Sequence, residues 1–111
     1  DVPKGEAVAE RIRASTGNAR VAVEELELAS LASVRAFAAR FLQRHPELHI
    51  LVNNAGVMAC PFAHTADGFE MQIGTNHFGH FLMTNLLMPA LRRGAPSRIV
   101  SVSSRGHHIS P

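Results

Sequence analysis

The stretch "HILVNNAG", His49 to Gly56, limits the fold more than any other part of this chain. Ile50, Leu51 and Val52 form an all-apolar run with β-branched members, which predicts a strand buried on both faces of a covered parallel sheet. Two consecutive amides, Asn53 and Asn54, and an Ala55-Gly56 step follow. They mark the carboxyl end of the strand. In open α/β sheets ligands sit in crevices outside the carboxyl ends of strands, so this position is a candidate binding site on topology alone.

The rest of the chain alternates helix and strand signals. Good helix formers from Lys4 to about Ser15, with Ala7, Val8 and Ile12 as apolar positions, predict a helix stopped by Gly17-Asn18. Val21 and Val23 alternate with Arg20 and Ala22 and predict a strand ending near Leu26 to Leu28, with Ser30 placed to cap the next helix. Leu31, Val34, Phe37, Ala38, Phe41 and Leu42 fall on one face of that helix, and His45-Pro46 ends it. After a loop containing Pro61, a start signal at Thr65 to Gly68 opens helical periodicity from Phe69 to Leu91, closed by Gly94 and Pro96. The run "RIVSVSS", Arg98 to Ser104, predicts the last strand. Three strands alternating with helices argue for the α/β class, a parallel sheet with helices on its faces. There is no internal repeat, linker or low-complexity tract.

Composition removes several function classes. With 111 residues, 46% hydrophobic, the chain is sized for one modest globular domain. The formal charge of +2 is spread without a block of like charge, so no nucleic-acid footprint is indicated. Cys60 stands alone, which excludes an internal disulfide framework and a cysteine-rich zinc site. No apolar run approaches the roughly 18 residues of a membrane helix. The sequence begins with Asp1 and ends in "SRGHHISP", and both ends are expected to be cut points.

"ILVNNAG", "DGFEMQIGTNHFGHFLMTNLL" and "SRIVSVSS", in this order and spacing, resemble the central part of a short-chain dehydrogenase/reductase. "MACPFAHTADGFE" and "NHFGHF" make the chain most similar to the retinol dehydrogenase branch. The resemblance implies that residues 1–111 are a fragment of a single NAD(P)-binding Rossmann domain: a partial, doubly wound parallel sheet of three strands with flanking helices, the first two strands of the domain lying outside the sequence. It implies NADP as cofactor, with NAD as the alternative, and interconversion of retinol-like or other lipophilic alcohols with their aldehydes or ketones.

Each motif then acquires a role. Asn53, Asn54, Ala55 and Gly56 would run under the bound dinucleotide, small side chains letting the backbone approach it while the amides lock neighbouring strands together. A strand-ending turn held by Asn side chains is the plainer alternative. Asn76 lies between Gly74 and Gly79, neither of which favours a regular helix. The matching family Asn interrupts the helix and holds, by its backbone carbonyl, a water linked to the catalytic lysine. Ser104 matches the serine that polarises the substrate carbonyl, with Ser103 its competitor for the role. Glu27 and Leu28 stand where the family contacts the adenine, Glu27 replacing the usual Asp.

The family's general acid/base is a tyrosine, its pKa lowered by a lysine one helical turn later. This sequence has no Tyr, and its single lysine is Lys4. It also lacks the glycine-rich phosphate-binding turn. The fragment is therefore expected to be inactive, with a truncated form that acts by association with a full-length relative as the alternative. Family members dimerise through the long helices corresponding to Ser30–Arg44 and Phe69–Leu91, and are held on the endoplasmic reticulum, or associated with mitochondria, through a segment outside this sequence. In the family sheet the Val21 strand lies two places from the Ile50 strand. That leaves the pairing of "HILVN" with "RIVSVSS" as the predicted native contact, and apolar strand edges that invite association.

The seven histidines, His77 and His80 included, read as surface or packing residues because no Cys or carboxylate cluster completes a metal site. Met58, Met71, Met83 and Met88 read as core and pocket filler, and Cys60 as a small buried residue.

Overall fold

The computed structural model describes residues 1–108. Helix α1 spans Val2–Thr16: Asp1 caps it, its carboxylate accepting from the Lys4 amide at 3.0 Å, and Pro3 sits in the first turn, where no helical donor is lost. Gly17 ends the helix in the left-handed conformation at φ 69°, and its N–H closes onto the Arg13 carbonyl at 2.9 Å. Helix α2, Leu31–Arg44, begins at the predicted cap, Ser30, whose hydroxyl accepts from Ser33 N at 3.3 Å.

The strand predicted between Val21 and Leu28 does not form. A strand exists only by its ladder, and this segment pairs with no other strand among the described residues. Its carbonyls turn to arginines on the flanking helices. Arg13 donates twice to the Val21 carbonyl, at 3.0 and 2.6 Å, and Arg40 donates to that of Glu25 at 2.7 Å.

The sheet is two parallel strands, β1 (Ile50–Asn53) and β2 (Arg98–Ser101), aligned as Ile50 with Arg98 and Asn53 with Ser101. This is the contact the sequence predicts. The last strand stops three residues short of Ser104 because β1 supplies no partner beyond Asn53, whose carbonyl takes a final bond from Val102 N at 3.0 Å. The expected burial of β1 on both faces also fails: Ile50 is 59% exposed and Val52 52%, whereas Asn53 is buried. The helices cover one face only. Leu28, Val34, Ala38, Met83 and Leu87 form the core there, with Leu51 packed against it from β1. The architecture is thus α/β with two parallel strands where three were expected.

The helical stretch expected from Phe69 to Leu91, with the interruption at Asn76 that the family resemblance implies, is three pieces: α3 (Met71–Ile73), a π-helical segment (Gly74–Gly79) and α4 (His80–Arg93). The two glycines mark close approaches. A Cβ on Gly74 would lie 2.3 Å from Thr65 Cγ2, and one on Gly79 would lie 2.5 Å from the Leu28 carbonyl oxygen. Thr65 to Gly68, the expected start signal, form a turn with Gly68 at φ 84°, and the helix is capped at Glu70, one residue past the expected Phe69.

Glu70 accepts from Gln72 N at 3.0 Å and Ile73 N at 2.9 Å, and these two amides hold its carboxyl below the ordinary value of 4.5. A depressed carboxylate pKa stabilises the fold fully above the unfolded value and loses that contribution as the pH falls through the folded one. Glu70→Gln is therefore expected to be less stable than the parent at neutral pH and to converge with it as the pH drops below 4.5. Urea midpoints of the two chains across that range check this; a constant offset down to the lowest pH would mean that the charge contributes nothing.

Candidate functional site

A cleft of about 650 Å³ opens at the carboxyl ends of β1 and β2, within the range typical of small-molecule sites. Three sequence features far apart in the chain meet on its wall: Asn53 to Gly56, Asn76 and the Ser103-Ser104 pair. The ladder from Asn53 to Ser101 sets the first beside the third. The π-helical segment brings up the second.

Asn53 is buried, and its Nδ2 donates to Thr84 Oγ1 on α4 at 3.0 Å. The amide thus ties strand to helix, where the expectation was strand to strand. Its Oδ1 is buried with no partner among the described residues. Asn54, Ala55 and Gly56 are exposed along the cleft wall. Asn76 clamps the chain just past them: Oδ1 accepts from Val57 N and Nδ2 donates to the Val57 carbonyl, both at 2.8 Å. One side-chain amide reproduces a two-bond strand pairing. A Cβ on Gly56 would sit 3.2 Å from Asn76 Oδ1, so the small residue makes room for the clamp.

The Asn76 backbone carbonyl, expected to hold a water, accepts from the ring Nδ1 of His80 at 2.9 Å. Ser104 Oγ accepts from Gly106 N at 3.0 Å at the entry to a 3₁₀ turn, Arg105–His108. Glu27 and Leu28 are not brought into the cleft. Glu27 is exposed, its carboxylate accepting from Ala29 N at 3.0 Å, and Leu28 is a core residue against the π-helical segment.

The sequence reading classed His80 with surface or packing histidines; its burial fits the packing reading, and its place on the cleft is what was missed. It is 8% exposed, lines the cleft and sits four residues after Asn76 on the same helical face, the spacing that could have found it. It missed Thr84 and Val57 as well, whose contacts depend on folding. Met58, read as filler, is 84% exposed at the rim, while Met83 is buried as expected. Cys60 is half-buried. Among the described residues no three His, Cys, Asp or Glu side chains gather as a metal site, and no helix is long and apolar enough to cross a membrane.

Residues 2–110 match the family described as short chain dehydrogenase. The chain is 59% identical over 109 residues to retinol dehydrogenase 11 of Mus musculus, a match covering 98% of this chain and 34% of that protein. It spans about a third of the length of the curated relatives it matches. The fold is similar to a crystal structure of a protein from Mycobacterium Paratuberculosis, with TM-score 0.79 and 50% identity over 96% of this chain and 35% of that one. It is also similar to carbonyl reductase from chicken fatty liver, a structure with NADPH bound, with TM-score 0.69 and 25% identity over 94% and 46% of the respective chains.

Proposed function

Because the chain belongs to the short-chain dehydrogenase family, we propose that it forms one wall of the cofactor and substrate cleft of an NADP(H)-dependent oxidoreductase, with NAD as the alternative cofactor. Its substrates are retinol-like or other lipophilic alcohols and the corresponding aldehydes or ketones, as the names of its relatives suggest. The observation that carries this reading is the convergence of Asn53 to Gly56, Asn76 and Ser103-Ser104 on one cleft.

The residues present fit a nicotinamide dinucleotide. Asn54, Ala55 and Gly56 line the wall with no bulky side chain, so a ring or a ribose can lie against the backbone. When bound, the cofactor supplies a hydride donor or acceptor at C4 of its nicotinamide. The chain's own residues bind and orient. Asn76 fixes the backbone that follows the cofactor wall through Val57. Ser104, at the mouth of the strands, presents the hydroxyl that steadies negative charge on a carbonyl oxygen, with Ser103 its neighbour on the same wall. Glu27 and Leu28 are assigned to the adenine end, away from this cleft.

A second reading has its own support. The sequence contains no tyrosine to act as general acid/base, and Ile50, Val52 and Val100 on the strands, with Val102 just past β2, are exposed. A non-catalytic chain associating with a full-length relative would cover that apolar surface. Homodimerisation through α2 and α4, and membrane attachment at the endoplasmic reticulum or mitochondria through sequence not present here, belong to the first reading.

Titration of ¹⁵N-labelled chain with NADPH tests the first. Amides of Asn54 to Val57, Ser103 and Ser104 are expected to shift together, with weak affinity because no glycine-rich phosphate turn is present in the sequence. Shifts confined to α1 and α2, with the cleft unmoved, would overturn the assignment of the cleft to the nucleotide.

A further inference from the structure

The π-helical segment interrupts a helix at Asn76, and His80 begins the regular helix that follows, one turn on. A π turn shifts the register of the backbone hydrogen bonds, so that a carbonyl beside it can accept from a side chain. Here the partner is the His80 ring, whose Nδ1 lies 2.9 Å from the Asn76 carbonyl oxygen. A carbonyl only accepts, so Nδ1 carries the hydrogen. In the neutral ring that assignment leaves Nε2 bare, with its lone pair available as an acceptor.

The other end of the ring is placed by burial. His80 is 8% exposed, yet it lines the cleft. Nε2 makes no hydrogen bond among the described residues and is not one of the buried, unpartnered atoms, a condition met there by Asn53 Oδ1 alone.

We infer that His80 is a positioning and binding residue. Its Nδ1–H fixes the Asn76 carbonyl and thereby the π turn that aims the Val57 clamp, while Nε2 accepts a hydrogen bond from a hydroxyl or amide N–H of the molecule in the cleft. The inference rests on the nucleotide reading for the identity of that molecule. Its tautomer is independent of it. The carbonyl has a second lone pair, so the ring contact leaves room for one further donor at Asn76.

Long-range ¹H–¹⁵N spectra of the ¹⁵N-histidine-labelled chain, recorded with and without NADPH, separate the two. The expected result is His80 in the Nδ1–H form, with the bare Nε2 resonance moving as NADPH is added. His80→Phe, which keeps a ring without either nitrogen, is expected to weaken NADPH binding about fivefold, the loss of one ordinary hydrogen bond. An Nε2–H form of His80 overturns the inference whatever NADPH does. An Nδ1–H ring whose Nε2 stays still while the Asn54 to Val57 amides move overturns the binding half and leaves the nucleotide reading intact. If no cleft resonance responds to NADPH, the nucleotide reading falls and takes the binding half with it. Should His80→Phe fail to fold, the parent spectra still decide.

Discussion

Gly79→Ala is expected to destabilise the chain by about 3 kcal/mol, because the added methyl would meet the Leu28 carbonyl oxygen at 2.5 Å and Leu28 Cβ at 3.1 Å. Alanine gains about 1 kcal/mol over glycine in helix propensity, but this cannot offset contact with a backbone atom that has nowhere to move. Leu28 is itself held in the core against Val34, Ala38, Met83 and Leu87. Displacing it reopens the packing between α2 and α4. Gly17→Ala is the control: its φ of 69° adds strain, but nothing lies within 4 Å of the new methyl. It should cost about 1 kcal/mol. Urea denaturation followed by far-ultraviolet circular dichroism ranks the two; equal midpoints would show that the π-helical segment does not lie against Leu28.

Leu87→Ala should cost about 3 kcal/mol as well, for a different reason. Its side chain is 1% exposed and among the largest fully buried ones, so truncation removes transfer energy and leaves a cavity that α2, α4 and β1 cannot collapse to fill. Phe81→Ala, on the same helix but 63% exposed, should fall within about 0.5 kcal/mol of the parent. A domain of this size holds only a few kcal/mol in reserve, so Leu87→Ala is expected to populate the unfolded state at room temperature. A Leu87→Ala chain that melts with the Phe81→Ala chain would place the core elsewhere.

The elements whose instructions are local were legible in the sequence. Ser30 caps α2, Gly17 stops α1 and Gly94 closes α4, each within a turn of where the residue types indicate. The pairing of β1 with β2 was legible too, since both runs are apolar and β-branched. What failed depends on neighbours. Val21 to Leu28 has strand-like alternation, but alternation predicts a strand only where another offers a ladder, and here arginines took the carbonyls. Burial of Ile50 and Val52 on both faces likewise needed a second helical layer.

The candidate site divides along the same line. Asn53 to Gly56, Asn76 and Ser104 were singled out as motif positions, and the fold sets them around one cleft. How they are held was not legible: Asn53 bonds Thr84, Asn76 bonds Val57, and His80 bonds the Asn76 carbonyl. The first two contacts join elements 19 or more residues apart. The third is local, and a histidine four residues beyond an asparagine flanked by glycines is the pattern that could have announced it.

The parallel register of β1 with β2 also decides the order in which this molecule can assemble. Parallel neighbours cannot be joined by a tight turn, and everything between Asn53 and Arg98, including the π-helical segment and α4, is the crossover that returns the chain to the sheet. Loop-closure entropy must be met before the ladder contributes anything, so the pair is expected to form late, once α4 lies across β1. Asn53 and Ser101 become neighbours only at that moment. The cleft is therefore completed in stages: the Asn53–Thr84 and Asn76–Val57 contacts lie within β1 and the crossover, and the Ser103-Ser104 wall joins them only when β2 pairs.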